Sequence, residues 1–365
     1  MSFNLIKPYN DLPLLPPKAD VETKEILKRA ISANRALAEL KGSANLIPNP
    51  EILLNAITLQ EAKSSSEIEN VVTTNDRLFK AFSTKADHFD DYTKEVLRYR
   101  EALWEGFNEL KSRGILSTNL FVKIYQKIKE TDAGIRNTPD TKLVDDKGKV
   151  IYTPPEDEKR IRDFLQNLEK FIYDNSDGID PLIKSAIIHY QFEAIHPFTD
   201  GNGRTGRIVF ILYLILIKYL ELPILYLSRY IIENKNKYYH LLKAVTENND
   251  WEPWILYLLN CIESTSNQTI QQIEKIKQSL KDTINTVRTL QQSPVPKEVL
   301  ELIYVQPYSK SEFIINKGIA KRKAAERYLK ELERLSILKS EKVGKEIVYV
   351  NLALFKILSG KNPGS

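Results

Sequence analysis

Twelve consecutive residues, His196-Pro197-Phe198-Thr199-Asp200-Gly201-Asn202-Gly203-Arg204-Thr205-Gly206-Arg207, hold most of the chemistry this sequence offers. They join two apolar helical patterns, one ending near Ile195 and one running through Ile208 to Ile217. Glycines let a backbone approach a ligand closely, and a helix start presents free N–H groups and a positive dipole end. The segment therefore reads as a cradle for an anion such as phosphate. Asp200 is placed to hold a Mg²⁺ that bridges phosphate oxygens, and Asn202 can donate its amide to a non-bridging oxygen. Arg204 and Arg207, three apart on the first turn, can point together at terminal phosphates. His196, titrating near neutrality, can take the proton of an attacking hydroxyl. This division of labour suits phosphoryl or nucleotidyl transfer, which is mainly positioning and charge stabilisation. Taken singly, the same residues read as a capping Asp, two surface arginines and a structural histidine. The Gly201-x-Gly203-x-x-Gly206 spacing also matches a dinucleotide fingerprint, but that reading needs a preceding strand and a parallel sheet, and neither is evident.

The elements that must position these residues are mostly helical. Prolines at 13, 16 and 17 make the N-terminal segment an extended arm. Apolar residues at helical spacing then predict helices from Asp20 to Gly42, Glu51 to Asn70, Tyr92 to Lys111, Ser117 to Lys129, Glu156 to Tyr173 and Pro181 to Ile195. The exception is a β-hairpin, with Lys142 to Val144 and Lys149 to Tyr152 as strands around the turn Asp145 to Gly148. Beyond the apolar helix, further helical patterns cover Asn234 to Val245 and Trp251 to about Gln291, the last part polar enough to serve as a spacer. Pro294 and Pro296 break it. Helices at Lys297 to Tyr304, Ser309 to Lys317 and Ala320 to Leu335 follow, and then two short strands around Gly344, the pattern of a winged helix-turn-helix. The expected class is mainly α with a β-hairpin and a C-terminal winged helix.

A chain of 365 residues, 42% hydrophobic and 28% charged, is too long for one core and too apolar to be disordered. Cys261 is its only cysteine, so no intramolecular disulfide forms. No apolar leader follows Met1, and the Ile208 to Ile217 run is too short to span a bilayer, so a cytoplasmic chain without membrane contact is expected. From Ser293 to Leu358 there are 13 Lys+Arg against 8 Asp+Glu, a difference equal to the whole-chain charge of +5. That excess, with Lys321, Arg322 and Lys323 opening a candidate recognition helix, makes DNA a possible partner of residues 293–358. Glu326, Glu331 and Glu333 on the same helix weaken the case, and a protein-binding or dimerising module is the alternative.

His196 to Arg207 resembles the Fic family signature, His-Pro-Phe-x-Asp/Glu-Gly-Asn-Gly-Arg-x-x-Arg, with every fixed position present. The resemblance implies transfer of AMP from Mg-ATP to a hydroxyl side chain of a target protein, with release of pyrophosphate. By that resemblance His196 is the base and Asp200 the metal ligand. Asn202 with Gly201 and Gly203 forms the α-phosphate site, and Arg204 and Arg207 grip the β- and γ-phosphates. Upstream, Ser65-Ser66-Glu67-Ile68-Glu69-Asn70 resembles the family's inhibitory motif, in which Glu69 would pair with Arg207 and hold it off the γ-phosphate. Asn70 stands where Gly is commoner. The hairpin, through Val150, Ile151, Tyr152 and Thr153, resembles the flap that docks a target segment as an added strand. Tyr238 and Tyr239 occupy the place where relatives line the base pocket, with burial as core aromatics the alternative.

These readings divide the chain into an N-terminal helical region with the inhibitory motif (1–110), a catalytic core (111–262), a helical linker (263–292) and a winged-helix domain (293–358). The leading expectation is an autoinhibited protein adenylyltransferase that uses Mg²⁺ and ATP and acts on itself or a target, with a homodimer as one open arrangement. Removal of AMP with Glu69 orienting a water, and a DNA-binding regulator that senses nucleotide, are the two rivals.

Overall fold

The structure is a computed structural model that describes residues 4–47, 49–84, 89–139, 141–144, 147–290 and 295–363. The first half is helical: α1 (Lys24–Ala44), α2 (Pro50–Ile68), α3 (Asn75–Ser83), α4 (Asp91–Arg113) and α5 (Thr118–Lys129) precede a short antiparallel hairpin of β1 (Leu143–Val144) and β2 (Val150–Tyr152). Residues 145 and 146 of the expected turn lie outside the described residues. Then come α6 (Glu158–Tyr173), α7 (Pro181–Ile195), α8 (Asn202–Leu216), α9 (Leu227–Glu233), α10 (Lys235–Asn248) and α11 (Trp251–Leu290). The C-terminal unit is α12 (Lys297–Val305), β3 (Tyr308–Ser309), α13 (Ser311–Asn316), α14 (Arg322–Arg334), β4 (Leu338–Val343), β5 (Glu346–Asn351) and α15 (Leu352–Ser359), its strands forming one antiparallel sheet in the order β3-β5-β4. Three helices and a two-stranded wing follow the order expected of a winged helix-turn-helix.

Two helices buried on nearly all sides, α7 and α8, form the central pair. Asp180 caps α7, accepting from Leu182 N at 2.8 Å, and Pro181 fills the first turn where no N–H is needed. On α4, a Cβ at Gly106 would lie 2.9 Å from Leu212 Cδ1, so glycine is what lets α4 close on α8. Trp254 of α11 donates to the Ala186 carbonyl at 2.9 Å and seals the back of α7.

The polar stretch read as a spacer is part of the core instead. Ile273, Ile276, Leu280 and Val287 are all buried, a narrow apolar stripe inside a Gln- and Lys-rich helix, and α11 runs unbroken along α1, α12 and α15. The winged unit is docked as well. Gln60 of α2 donates to Leu358 O at 2.5 Å, Tyr308 donates to Asp76 at 2.6 Å, and Lys80 pairs with Glu341 at 2.6 Å. Helices α3, α9 and α15 were not expected, because nine, seven and eight residues give too few turns for a periodic signal.

Candidate active site

His196 ends α7 in the left-handed region, at φ 50°, and starts the loop that returns the chain into α8. Its Nδ1 is buried without a hydrogen-bond partner among the described residues. Burial, reinforced by the nearby Arg136 charge and opposed by the Glu193 backbone and by Asp200, pulls its pKa down to about 4. The ring is therefore neutral at pH 7. Arg136 fixes the loop from behind: its Nε donates to His196 O at 2.7 Å, its Nη2 donates to Pro155 O just beyond the hairpin, and its backbone N donates to Pro197 O at 2.9 Å. Phe198 stacks on Tyr125 with ring centroids 4.2 Å apart. Arg136→Ala would strip the His196 and Pro155 carbonyls of their side-chain donor, and we expect a loss of about 3 kcal/mol in urea unfolding. A loss below about 0.5 kcal/mol would show that the clasp is incidental.

Asn202 corrects one sequence expectation. Its Oδ1 accepts from Phe198 N and its Nδ2 donates to Phe198 O, both at 2.8 Å, so the amide is committed to closing the loop rather than facing a phosphate. The donors left toward an anion are the N–H groups of the first turn of α8, which follows Gly201 at φ 71°.

Arg204 and Arg207, 2% and 1% exposed, are held by a run of alternating charges. Glu69, the C-cap of α2, accepts from Arg204 Nε at 2.6 Å and from Arg207 Nη2 at 2.9 Å. Glu95 of α4 accepts from Arg204 at 2.5 Å and from Lys129 at 3.1 Å, and Lys129 reaches Asp200 at 2.7 Å. Arg207 also donates to Ser65 Oγ and Ser65 O at 2.8 Å each. Burial disfavours the Arg207 charge, yet Glu69 together with Tyr99, Tyr238 and Glu193 outweighs it and drives the pKa up. Burial likewise raises and Lys129 lowers the Asp200 carboxyl, with a net downward shift. A Cβ on Gly203 would lie 2.6 Å from Glu69 Oε1, so the anion now over the start of α8 is the Glu69 carboxylate. Asn70 has φ 64°, a conformation that Gly and Asn both tolerate, which accounts for Asn where Gly is commoner.

The donor set at Asp200 is one half-exposed carboxylate, and no group of three or more His, Cys, Asp or Glu gathers to hold a metal among the described residues. That fits Mg²⁺, which is commonly held by one or two carboxylates plus substrate phosphates, and not a structural metal cage.

A cavity of about 250 Å³ opens beside this centre, lined by Leu143, Ile151, Tyr152, Tyr239 and Glu193 among others. Tyr239 is 41% exposed and belongs to it. Tyr238 is 1% exposed and points inward, its hydroxyl 2.8 Å from His189 Nε2 beside Trp254, so of the two tyrosines it takes the alternative of a core aromatic. In the hairpin, Val150, Ile151 and Tyr152 are half-buried, and Tyr152 donates to Ala194 O at 2.7 Å. Thr153 is buried; its carbonyl accepts from Tyr9 N at 3.0 Å and its hydroxyl donates to Leu5 O at 2.6 Å, so the N-terminal arm backs the hairpin's exit. Sequence reasoning missed Glu95, Lys129, Arg136 and Glu193. The first three lie on other elements at no fixed spacing from the loop, and Glu193 reads as one more polar residue on α7.

On α14, Arg322 pairs with Glu326 at 3.1 Å and Arg334 with Glu331 at 2.7 Å, which neutralises part of its basic face. No helix among the described residues is long and apolar enough to cross a membrane.

Residues 27–108 match the Fic/DOC family N-terminal model, residues 115–214 the Fic/DOC family model, and residues 280–354 the protein adenylyltransferase SoFic-like C-terminal domain. Over 102 residues the chain is 33% identical to the protein adenylyltransferase Fic of Drosophila yakuba and 32% identical to that of Drosophila melanogaster, covering 28% of this chain and 19% of each relative. The chain thus spans about a fifth of the length of these relatives. A Fic family protein from Desulfovibrio desulfuricans G20 has the same fold, with a TM-score of 0.60 at 18% identity over 92% of this chain and 98% of that one. Fic-1 from C. elegans aligns with a TM-score of 0.50 at 18% identity over 69% of this chain and 75% of that one.

Proposed function

The chain belongs to the Fic/DOC family, and from that premise we propose that it is an autoinhibited protein adenylyltransferase. The observation that carries the proposal is the Glu69 carboxylate lying over Gly203 and tied to both Arg204 and Arg207, because it marks the start of α8 as an anion site and occupies it. In the active state ATP takes that place. Its base enters the cavity beside Tyr239, its phosphates meet the N–H groups of α8, and Arg204 and Arg207 grip the terminal phosphates. Asp200 would hold Mg²⁺, which when bound neutralises charge on the phosphate oxygens. Neutral His196 takes the proton from a Ser, Thr or Tyr hydroxyl of the target as its oxygen bonds to the α-phosphorus, and the bond to pyrophosphate breaks. The hairpin through Val150 to Thr153 aligns the target segment along its backbone.

In this proposal residues 1–110 supply the restraint and 111–262 the chemistry, while 293–358 is a winged module docked on α2 and α3. The supporting contacts for docking are those of Gln60, Tyr308 and Lys80. DNA binding through Lys321 and Lys323 is testable by gel shift at low salt with the full chain.

Incubation with Mg²⁺, γ-labelled ATP and cell extract tests the reaction class. Labelled pyrophosphate is expected; label on protein would instead mean phosphoryl transfer, and labelled phosphate alone would mean hydrolysis. The pH profile gives a second expectation. With His196 neutral until the pH falls through about 4, kcat at saturating ATP should be flat from pH 8 to pH 6. A histidine at its ordinary value would lose about fourfold over that range.

A further inference from the structure

Glu193 lies on α7, three residues before His196, and its Oε1 is buried without a hydrogen-bond partner among the described residues. Its side chain lines the cavity shared by Leu143, Ile151 and Tyr239. A Cβ on Gly206 would come within 2.7 Å of that same oxygen, so the carboxyl is wedged between the first turns of α8 and the cavity. The neighbouring guanidinium does not claim it: Arg207 gives its hydrogen bonds to Ser65 and Glu69. A buried acceptor left open at the wall of a ligand cavity asks for a donor from the ligand.

We infer that Glu193 reads the base, accepting a hydrogen bond from an exocyclic amino group such as the 6-amino group of adenine and rejecting an oxo group at the same place. The inference rests on the function proposed above, in which this cavity takes the base. Its physical content is a mismatch of partners. An amino group donates to the carboxyl oxygen, whereas the 6-oxo group of guanine sets acceptor against acceptor at a buried oxygen. Burial, helped by Glu69 and opposed by Arg207, lifts the Glu193 carboxyl to about 7; both protonation states keep an acceptor oxygen for the amino group, and the ionised form, which only accepts, is the one that rejects the oxo group. The apolar walls supplied by Leu143 and Ile151 tell bases apart poorly; of the polar residues there His240 and Lys243 are exposed and Thr246 is bonded to Tyr190 and Leu242, so the buried open acceptor of Glu193 carries the discrimination.

The test uses the full chain carrying Glu69→Gly, with Glu193 intact, Glu193→Gln or Glu193→Ala. Nucleotide transfer to protein is measured as kcat/KM from ATP, from GTP and from purine riboside triphosphate, which carries only hydrogen at the 6 position. With Glu193 intact, ATP should exceed the purine riboside analogue by about tenfold or more. Glu193→Ala should bring that ratio to within about twofold of one. Glu193→Gln, whose amide can also donate, should narrow the ATP to GTP preference by about tenfold. Each ratio is taken within one protein, so any loss of folded enzyme cancels. An ATP to purine riboside ratio that survives Glu193→Ala unchanged overturns the assignment while leaving adenylyl transfer intact. If the parent protein transfers no nucleotide at all, the proposed function fails and the assignment of Glu193 falls with it.

Discussion

Glu69→Gly should raise AMP transfer while lowering stability, two effects of opposite sign from one carboxylate. Glu69 is the shared partner of two nearly fully buried arginines. Removing one member of such a buried set costs about 3 kcal/mol, because the other charges stay behind unpaired. Arg204 would keep Glu95, but Arg207 would keep only the oxygens of Ser65. The same energy no longer holds the arginines away from ATP, and about 3 kcal/mol corresponds to roughly a hundredfold in rate. We therefore expect transfer to rise about a hundredfold and urea unfolding without nucleotide to show a loss of about 3 kcal/mol. ATP at a hundred times its dissociation constant should restore about 2.7 kcal/mol. A variant that gained activity with unchanged stability would mean that Glu69 restrains the enzyme by bulk alone. A variant that lost stability without gaining activity would mean that the contact is purely structural.

Removing the base should have the largest effect on rate and little on binding. His196→Ala in the Glu69→Gly background is expected to lower transfer by about 10² to 10⁴, the usual contribution of a positioned general base. The ATP dissociation constant should stay within about threefold, since in the proposed arrangement His196 faces the attacking hydroxyl and not the triphosphate. The left-handed backbone at φ 50° adds a strain that Asn tolerates better than Ala, so His196→Asn serves as the folding control and should be equally inactive. Unchanged transfer in His196→Asn would remove the base from the account.

The loop from His196 to Arg207 was legible because its chemistry is contiguous: glycines, a carboxylate and two arginines at helical spacing declare an anion cradle without knowledge of the fold. Helix α7 was legible to the residue, since Asp180 and Pro181 mark its start and the loop marks its end. What could not be read was anything that depends on which helices become neighbours. Glu95 and Lys129 join Arg204 to Asp200 only because α4 and α5 pack beside α8. Arg136 stands 60 residues from the His196 carbonyl it holds. Asn202 looked like a phosphate donor because residue type says what a group can bind, and not that Phe198 satisfies it first. The far half of α11 looked like a spacer because Ile273, Ile276, Leu280 and Val287 make a stripe one residue wide among Gln and Lys. In the C-terminal unit the alternation and turn at Gly344 gave the wing, but nothing in the sequence predicted that Tyr308 and Glu341 would dock it on α3.

The central claim is that AMP transfer is present and held back by Glu69. The most direct measurement follows label from α-labelled ATP onto protein, side by side for the wild type, Glu69→Gly and Glu69→Gly/His196→Ala, with cell extract as target. The account predicts weak label in the wild type, label stronger by about a hundredfold in Glu69→Gly, and label in the double variant no stronger than in the wild type. Label as strong in the wild type as in Glu69→Gly, or label lost from already AMP-modified protein only when Glu69 is present, would contradict restraint of transfer and point to removal of AMP instead.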